Sequence, residues 1–345
     1  MGNILKIVIF FFSGTGNARQ IALWLSEMAR EKGLDSNITD IAKTDCPWLG
    51  TIDPEALIIF ISPIHGFNYP KITLSYIRNF KKGKNRVVLM NTRGGMKIGS
   101  FVTPGLTGIA FFLSSWWLAR KGYKIVGTIP FDMPSNWISL HPALNDNTVK
   151  YLHKKNYERV QFHAGRILAG KTDFHSLRDI IQDILIFPIS IGYFFIGRFI
   201  LAKSFYANTT CDNCGICIQG CPVKAIETIQ NKPFWTLKCE SCMKCMNNCT
   251  KKSIETAHAL ILTVSILNSI FFTFLTDRLL SPLLQSGILM SVIESAVFLL
   301  VTIVAYRIQH TLLRNKRIGR FISFISVTHY KFWGRYKSIP DYKWK

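Results

Sequence analysis

Eight cysteines lie close together in the chain in a pattern that could hold metal. They form two runs, CDNCGICIQGCP and CESCMKCMNNCT, in which successive cysteines are separated by two, two and three residues. Three thiolates spaced in this way can meet one face of an iron–sulfur cubane from a tight loop. In two-cluster arrangements the fourth cysteine of each run ligates the other cluster. The sequence therefore predicts two [4Fe–4S] clusters, one on Cys211, Cys214, Cys217 and Cys249, the other on Cys239, Cys242, Cys245 and Cys221.

The cysteine pattern also excludes other uses of these thiols. Zinc ribbons have two cysteine pairs with a long gap between them, and secreted disulfide frameworks spread their cysteines over a domain. The ninth cysteine, Cys46, stands alone and is predicted to be an ordinary part-buried thiol. Thiolate ligands to iron indicate a reducing compartment, which argues against export and against reading the apolar N-terminus as a signal peptide.

A second candidate site is the loop SGTGN, which follows an apolar run and precedes a helical pattern. Hydroxyl and amide side chains combine there with two glycines at the N-terminus of a helix, which suits a phosphate group. The loop lacks the lysine of a nucleoside triphosphate site and the glycine spacing of a dinucleotide site. The residues predicted to hold the phosphate are Ser13, Gly14, Thr15, Gly16, Asn17 and Ala18.

This loop resembles the FMN phosphate loop of flavodoxins. Two further loops, SPIHGFNYP and NTRGGMKIG, follow predicted strands at the sheet edge where open α/β sheets bind ligands. The resemblance implies that both loops border the flavin ring, with His65 or Phe67 against it and the two glycines Gly94 and Gly95 allowing close backbone approach. The predicted ring-binding residues are Pro63, Ile64, His65, Gly66, Phe67, Thr92, Arg93, Gly94 and Gly95.

The elements that position these loops are predicted from hydrophobic periodicity. Short β-branched runs alternate with helical patterns over the first 170 residues, which predicts a flavodoxin-like, doubly wound parallel α/β sheet. A small α+β two-cluster ferredoxin domain and a C-terminal transmembrane helical hairpin complete the predicted fold. The predicted boundaries are 1–172 for the FMN-binding domain, 173–207 for an apolar linker, 208–256 for the ferredoxin-like domain, 257–306 for two transmembrane helices and 307–345 for a basic tail.

Composition indicates a membrane. Hydrophobic residues make up 48% of the chain, the mean hydropathy is +0.20 and the net charge is +22. The runs 259–276 and 279–306 meet the length of a membrane span, with Glu294 as the one ionisable residue in the second run. Basic residues on both outer flanks predict that both ends of the hairpin are cytoplasmic. Two buried helices of a soluble domain are the alternative, and the linker is predicted to form interfacial or packed helices rather than a span.

The order of these parts resembles a family of flavodoxin–ferredoxin fusion proteins of anaerobic bacteria and archaea. The resemblance covers roughly residues 1–256, through FFSGTGNAR, TRGG, MPSNW, CDNCGICIQGCPVKAI and PFWTLKCESCMKC. Thr250 stands where such ferredoxin motifs usually have proline. The membrane segments fall outside the resemblance.

These features favour a membrane-anchored electron carrier that relays electrons between FMN and the two clusters. Its expected partners are redox proteins and anionic lipids at the cytoplasmic face of the cell membrane, because basic and aromatic residues alternate in the tail. No nucleic-acid partner is expected. Two alternatives stay open: an FMN-dependent reductase of a small or lipid-soluble acceptor, with His65 as the candidate acid, and an electron-transfer subunit of a larger membrane complex.

Overall fold

The computed structural model describes residues 4–43, 52–99, 101–139, 144–275 and 287–330. The chain folds into two compact units. Of these described residues, those up to residue 138 and from 144 to 193 belong to unit 1, and residue 139 and those from 194 to 330 belong to unit 2. The lone Cys46, the predicted turn between the two membrane runs and the tail beyond residue 330 lie outside the described residues.

Unit 1 is built on a parallel sheet. Its strands are β1 (Lys6–Phe11), β2 (Asp35–Asp40), β3 (Leu57–Pro63), β4 (Arg86–Ile98), β5 (Phe101–Thr103) and β6 (Lys124–Pro134). Five of them pair in parallel in the order β2-β1-β3-β4-β6, and the short β5 is antiparallel to the end of β4. Counted among the parallel strands alone, this order is 2-1-3-4-5, that of flavodoxin-like sheets. The predicted fold class of this unit is therefore correct.

Helices cover the sheet. They are α1 (Asn17–Glu31), α2 (Lys71–Asn79), α3 (Ala110–Arg120) and α4 (Asp146–Leu168). The central strands read as continuous apolar runs because both faces are covered. Their side chains form one core with the inner faces of α1 and α4. Helix α1 ends where Gly33 takes a positive φ of 73°, as its position in the sequence predicts.

The segment after α4 packs on unit 1 through its polar side chains. It contains a 3₁₀ turn (His175–Asp179), α5 (Ile180–Leu185) and α6 (Phe187–Gly192). The Asp183 carboxylate accepts hydrogen bonds from the backbone N–H groups of Thr107 (3.2 Å) and Gly108 (2.8 Å), and the Ser190 hydroxyl donates to the Phe67 carbonyl (2.8 Å). The apolar side chains of the same segment face solvent, with Ile181 74% and Leu185 75% exposed. This segment is amphipathic, with its polar side toward the protein.

Unit 2 contains the cysteine module and three longer helices. Its elements are a π-helical turn that ends at Gly197, α7 (Arg198–Ala202), β7 (Phe205–Ala207), α8 (Ile216–Gln219), β8 (Ile226–Ile229), β9 (Lys232–Trp235), α9 (Lys244–Asn248), β10 (Ile254–Thr256), α10 (His258–Leu275), α11 (Gly287–Leu312) and α12 (Lys316–Phe324). Strand β7 pairs with β10 and β8 with β9, both antiparallel. Helices α10 and α11 pack against each other.

Among the described residues, one helical stretch, Leu289–Leu312, is long and apolar enough by itself to cross a membrane. Only 11% of its most apolar window is buried. The apolar stretch His258–Phe274 is shorter, and the helices on either side of Ile186 reach that length only if they are taken together as one bent span. The observed helix α11 continues to Leu312, beyond the predicted end at residue 306, and the start of the predicted run lies outside the described residues.

A histidine pair in unit 1, buried His163 and part-buried His175, makes stability depend on pH. The His163 ring donates to the Asp173 carboxylate (2.8 Å), which also accepts from Arg166, and the His163 and His175 rings lie 4.9 Å apart. Burial lowers the pKa of His175 to about 4, and the neighbouring His163 acts in the same direction. The unfolded chain therefore binds a proton between about pH 6.5 and pH 4 that the folded chain does not.

We expect unit 1 to lose stability as the pH falls through this window. The expected loss assigned to His175 is about 1 kcal/mol after allowance for solvent screening of a partly exposed ring. Urea unfolding of the full chain at pH 7, 6, 5 and 4 measures it, with His175→Gln as the comparison. The variant should show a shallower decline, and an equal slope in both proteins would contradict the expectation.

Candidate functional site

The loop between β1 and α1 is the first part of the candidate site in unit 1. The Gly16 N–H donates to the Ser13 hydroxyl (3.0 Å), and Gly16 has a φ of 103°, a conformation that favours glycine. Thr15 is 5% exposed. No side chain caps α1, and its first turn carries no acidic residue. A helix N-terminus of this kind presents backbone donors and a positive dipole end to an anion.

A segment far along the chain closes over this loop. The Asn17 amide donates to the Pro134 carbonyl (2.9 Å), and the Asn136 amide contacts the Thr15 hydroxyl. Trp137 follows directly, and its ring nitrogen is buried with no hydrogen-bond partner among the described residues. Asn136 and Trp137 were not among the predicted site residues. The signal was present in MPSNW, which follows a strand as the two predicted loops do.

The turn that contains His65 and Phe67 lies next to an aromatic pair. The backbone groups of His65 and Asn68 bond to each other, and Gly66 and Phe67 both have positive φ, 55° and 65°. A Cβ atom at Gly66 would overlap the ring of Tyr193. Tyr193 in turn meets Trp137 edge to face, with ring centroids 6.5 Å apart. Tyr193 is a second residue that the sequence did not single out, because it lies over 120 residues from the turn it covers.

The segment Thr92–Gly95 was predicted to be a loop, and this prediction was wrong. These residues continue β4 and pair with β6 from Thr92 opposite Phe131 to Gly95 opposite Pro134. A Cβ at Gly95 would lie 2.6 Å from the Asp132 carbonyl oxygen, and a Cβ at Gly94 would lie 3.0 Å from the Ser135 hydroxyl. The glycines therefore permit close approach of another strand and its following loop.

Arg93 has a role that its predicted place beside a flavin ring did not suggest. Its side chain is buried, and the guanidinium donates to Asp132 (2.7 Å) and to Asp179 (2.6 Å). Asp132 also accepts from Arg159 (2.9 Å) and from the Gly105 N–H (2.8 Å). The arginine thus links the end of the sheet to the segment after α4, and its donors are engaged by carboxylates.

The cysteine runs form the second part of the candidate site, in unit 2. Cys217 interacts electrostatically with Cys211, Cys214 and Cys249, so the first predicted set of four is brought together. Burial, followed by these neighbouring thiols, raises the pKa of Cys217 to about 11. The Cys249 sulfur accepts from the Ser253 N–H at 3.3 Å.

The second predicted set is also brought together, and it includes the cysteine from the other run. Cys221, Cys239, Cys242 and Cys245 line one cavity together with Trp235 and Phe205. Burial raises the pKa of Cys242 to about 12 and that of Cys245 well above its ordinary value. A metal ion binds cysteine as the thiolate, and here four sulfur atoms converge on one cavity. The donor set fits a metal centre.

The two cysteine loops repeat one backbone conformation at an interval of 28 residues. Residues with a left-handed backbone conformation occur at equivalent positions of the two loops. Asn213 corresponds to Ser241 (φ 57° and 50°), and Gly215 corresponds to Met243 (φ 76° and 61°). Gly215 and Met243 each precede the short helix α8 or α9. The N–H groups of Ala225 and Ser253 donate to Cys221 and Cys249 at 3.3 Å each. Hydrogen bonds to sulfur of this kind tune iron–sulfur potentials.

No protein-family model matches the chain, and no curated protein matches it. Solved structures that match include a rubredoxin oxygen:oxidoreductase from Desulfovibrio gigas (17% identity, 48% of this chain and 38% of that chain, TM-score 0.30). Flavodoxin 1 from Bacillus cereus matches at 17% identity over 45% of this chain and 97% of that chain (TM-score 0.30), and Megasphaera elsdenii flavodoxin at 16% over 44% and 98% (TM-score 0.26). The chain thus spans 38% of the length of the oxidoreductase. The flavodoxin-like fold of unit 1 is shown by its own strand order.

Proposed function

We propose that this protein is a membrane-attached electron-transfer protein that binds FMN in unit 1 and two [4Fe–4S] clusters in unit 2. The observation that carries the proposal is the gathering of the eight cysteines into two sets of four, each with three members from one run and one from the other. Such an exchange of the fourth ligand is typical of two-cluster ferredoxin modules, whereas a zinc ribbon binds its ion with two cysteine pairs.

The loop residues of unit 1 support FMN as its ligand. Ser13, Thr15 and the uncapped N-terminus of α1 offer hydroxyl and backbone donors suited to a phosphate. Trp137 and Tyr193 provide aromatic surface beside the turn at Gly66. The Trp137 ring nitrogen, which has no partner among the residues that the structure describes, is a donor for a polar group of the ligand. FMN exchanges one or two electrons and a cubane exchanges one, so the pair suits electron transfer.

Replacing Trp137 with alanine should weaken FMN binding. Loss of aromatic contact and of one donor predicts a Kd about tenfold to a hundredfold higher, which is about 1.4–2.8 kcal/mol. Titration of the FMN-depleted full chain, followed by flavin fluorescence, measures it. Trp116, which is half exposed on α3, provides the matched control Trp116→Ala, whose Kd should stay unchanged. Equal affinity of both variants and the wild type would contradict the proposed site.

Two features support attachment to a membrane. The last turns of α11 and the start of α10 lie together at the cysteine module, where Tyr206, Ala257 and Leu313 pack in one cluster. Such an arrangement fits a hairpin whose two ends are on one side of a bilayer. In unit 1 the apolar side chains of α5 are exposed while the polar ones are buried, the pattern of a segment that lies on lipid.

Carbonate extraction of native membranes tests the attachment. The full chain should stay in the membrane pellet after an alkaline wash, as a protein with a spanning hairpin does. The double variant Ile181→Asp with Leu185→Asp should also stay, because it changes only the interfacial segment of unit 1. Release of the wild-type chain into the supernatant would contradict the hairpin.

A further inference from the structure

A cavity of about 320 Å³ lies within unit 2 between the ends of α10, α11 and α12. Its wall is apolar, with Leu260, Ala305, Ile308 and Ile322 among the residues that form it. No lysine, arginine, aspartate or glutamate lines it in the described part of the chain. The volume falls within the range of small-molecule sites, and the lining suits a ligand without charge.

Two polar side chains at the cavity have hydrogen-bonding atoms that find no partner within the described part of the chain. Gln309 on α11 is 6% exposed, and its amide nitrogen has no acceptor among the described residues. The Nε2 atom of His258 lies 2.8 Å from the Ser139 carbonyl oxygen, which can only accept, so Nε2 carries the proton. The other ring nitrogen, Nδ1, is then an acceptor, and it is buried and unpartnered over the same described ranges.

The cavity therefore offers one donor and one acceptor in apolar surroundings. A buried polar atom without a partner costs free energy, so such atoms indicate a ligand group that completes them. The matching ligand has a polar head with a carbonyl for the Gln309 amide and a hydroxyl for His258 Nδ1, and an apolar tail. A phospholipid does not match, because its phosphate would need a cationic partner and none stands among the described residues of this wall.

Helix α11 connects the cavity to the second cysteine set. Tyr306 lies one helical turn before Gln309, and its hydroxyl accepts from the Trp235 N–H at 3.1 Å. Trp235 lines the cavity of Cys221, Cys239, Cys242 and Cys245. The Lys203 ammonium donates to the Trp235 carbonyl (2.6 Å) and lies over the rings of Phe234 and Tyr306. Because the cavity is connected in this way to a predicted cluster site, a redox-active molecule suits it better than other uncharged amphiphiles.

We infer that this cavity binds a lipid-soluble quinone or its quinol, with the head between Gln309 and His258 and the tail along the apolar sides of α10 and α11. The choice of a redox-active ligand rests on the proposed function. The cavity and its polar atoms are observed independently of that function. It concerns reversible binding, in which no covalent bond forms or breaks.

Photolabelling of the full chain in detergent tests the inference. The probe is an azido derivative of decylubiquinone, and labelled peptides are located by mass spectrometry. We expect label on peptides that contain His258–Thr263, Ala305–Leu312 or Ile322–Ser326, lost when decylubiquinone is in excess and retained when decylbenzene is in excess. Label elsewhere, or equal competition by decylbenzene, which has the tail without the carbonyls, would overturn the inference.

Variants make the test specific to the cavity. Gln309→Leu removes the donor at similar volume and should raise the decylubiquinone concentration needed for half competition about tenfold. Ala305→Phe fills the cavity and should abolish labelling, whereas Val304→Phe, one residue away at an exposed position on the same helix, should match the wild type within about twofold. Unchanged labelling of Ala305→Phe would overturn the site.

The controls separate this inference from the proposed function. FMN and iron are measured in each preparation. If Ala305→Phe fails to fold, as judged by loss of iron, the labelling of Gln309→Leu is the deciding measurement for the cavity. A preparation with full FMN and iron that takes no label contradicts the quinone site only, whereas absent FMN or iron contradicts the proposed function whatever the labelling shows.

Discussion

Replacing Cys221 with alanine should reduce the iron content of the anaerobically purified chain from about eight to about four atoms. Cys221 belongs to the first run in the sequence, but it lies in the cavity of the second set with Cys239, Cys242 and Cys245. A cubane that loses one of four thiolate ligands is expected to be lost, while the set around Cys217 keeps all its ligands. Iron analysis after desalting measures the effect.

Double variants show which cysteines share a cluster. Cys221→Ala combined with Cys242→Ala removes two ligands of one predicted cluster, so about four iron atoms should remain. Cys221→Ala combined with Cys214→Ala removes one ligand from each, so almost no iron should remain. The reverse outcome would mean that each run holds its own cluster. Cys46→Ala is the control, because this thiol lies outside both runs and iron should stay at the wild-type level.

Replacing Arg93 with methionine should destabilise unit 1 by about 3–5 kcal/mol, the usual effect of breaking a buried ion pair. In the variant, Asp179 loses the guanidinium that pairs with it, and Asp132 keeps one of its two arginine partners. Both carboxylates have low solvent exposure. Urea unfolding measures it, with hydrogen exchange of the amides of β4 and β6 as the local probe of unit 1.

The matched control for this variant is Arg159→Met. Arg159 contacts the same Asp132 carboxylate, but its side chain is 25% exposed, and Arg93 still pairs with that carboxylate. A smaller loss of about 1 kcal/mol is expected. Equal effects of the two variants, or a loss below about 1 kcal/mol for Arg93→Met, would show that the buried network does not hold the segment after α4 to the sheet.

The central elements of unit 1 could be predicted because buried strands consist mainly of apolar residues, and such runs are visible in the sequence. Strands β1 and β3 are continuous apolar runs, and so is the VVLM stretch of β4, as strands covered on both faces must be. Strand β2, DSNITD, carries no such signal because it lies at the edge of the sheet and is largely part-exposed. Its existence depends on pairing with β1, a tertiary contact that local composition does not encode.

The site in unit 1 was only partly predictable for a related reason. The phosphate loop is local, so its glycines and hydroxyls appear together in the sequence. Asn136, which contacts that loop, and Trp137 follow the end of β6, and Tyr193 comes from beyond α4. The resemblance to flavodoxins implied that Arg93 borders the flavin ring. Its pairing with two aspartates distant in sequence was not visible.

The cysteine module was the most predictable part, because each run carries its own ligands and its own turns. The 28-residue repeat is visible in the sequence, and the structure gives the two loops the same left-handed positions. The cavity beside α10, α11 and α12 could not be predicted, because it depends on the spatial meeting of His258 and Gln309, which lie 51 residues apart.

The most direct test of the proposed function is the cofactor content of the full chain, isolated anaerobically from native membranes. We expect about one FMN and about eight iron atoms per chain in the same preparation. A preparation that contains no FMN, or iron well below about eight atoms per chain, would contradict it.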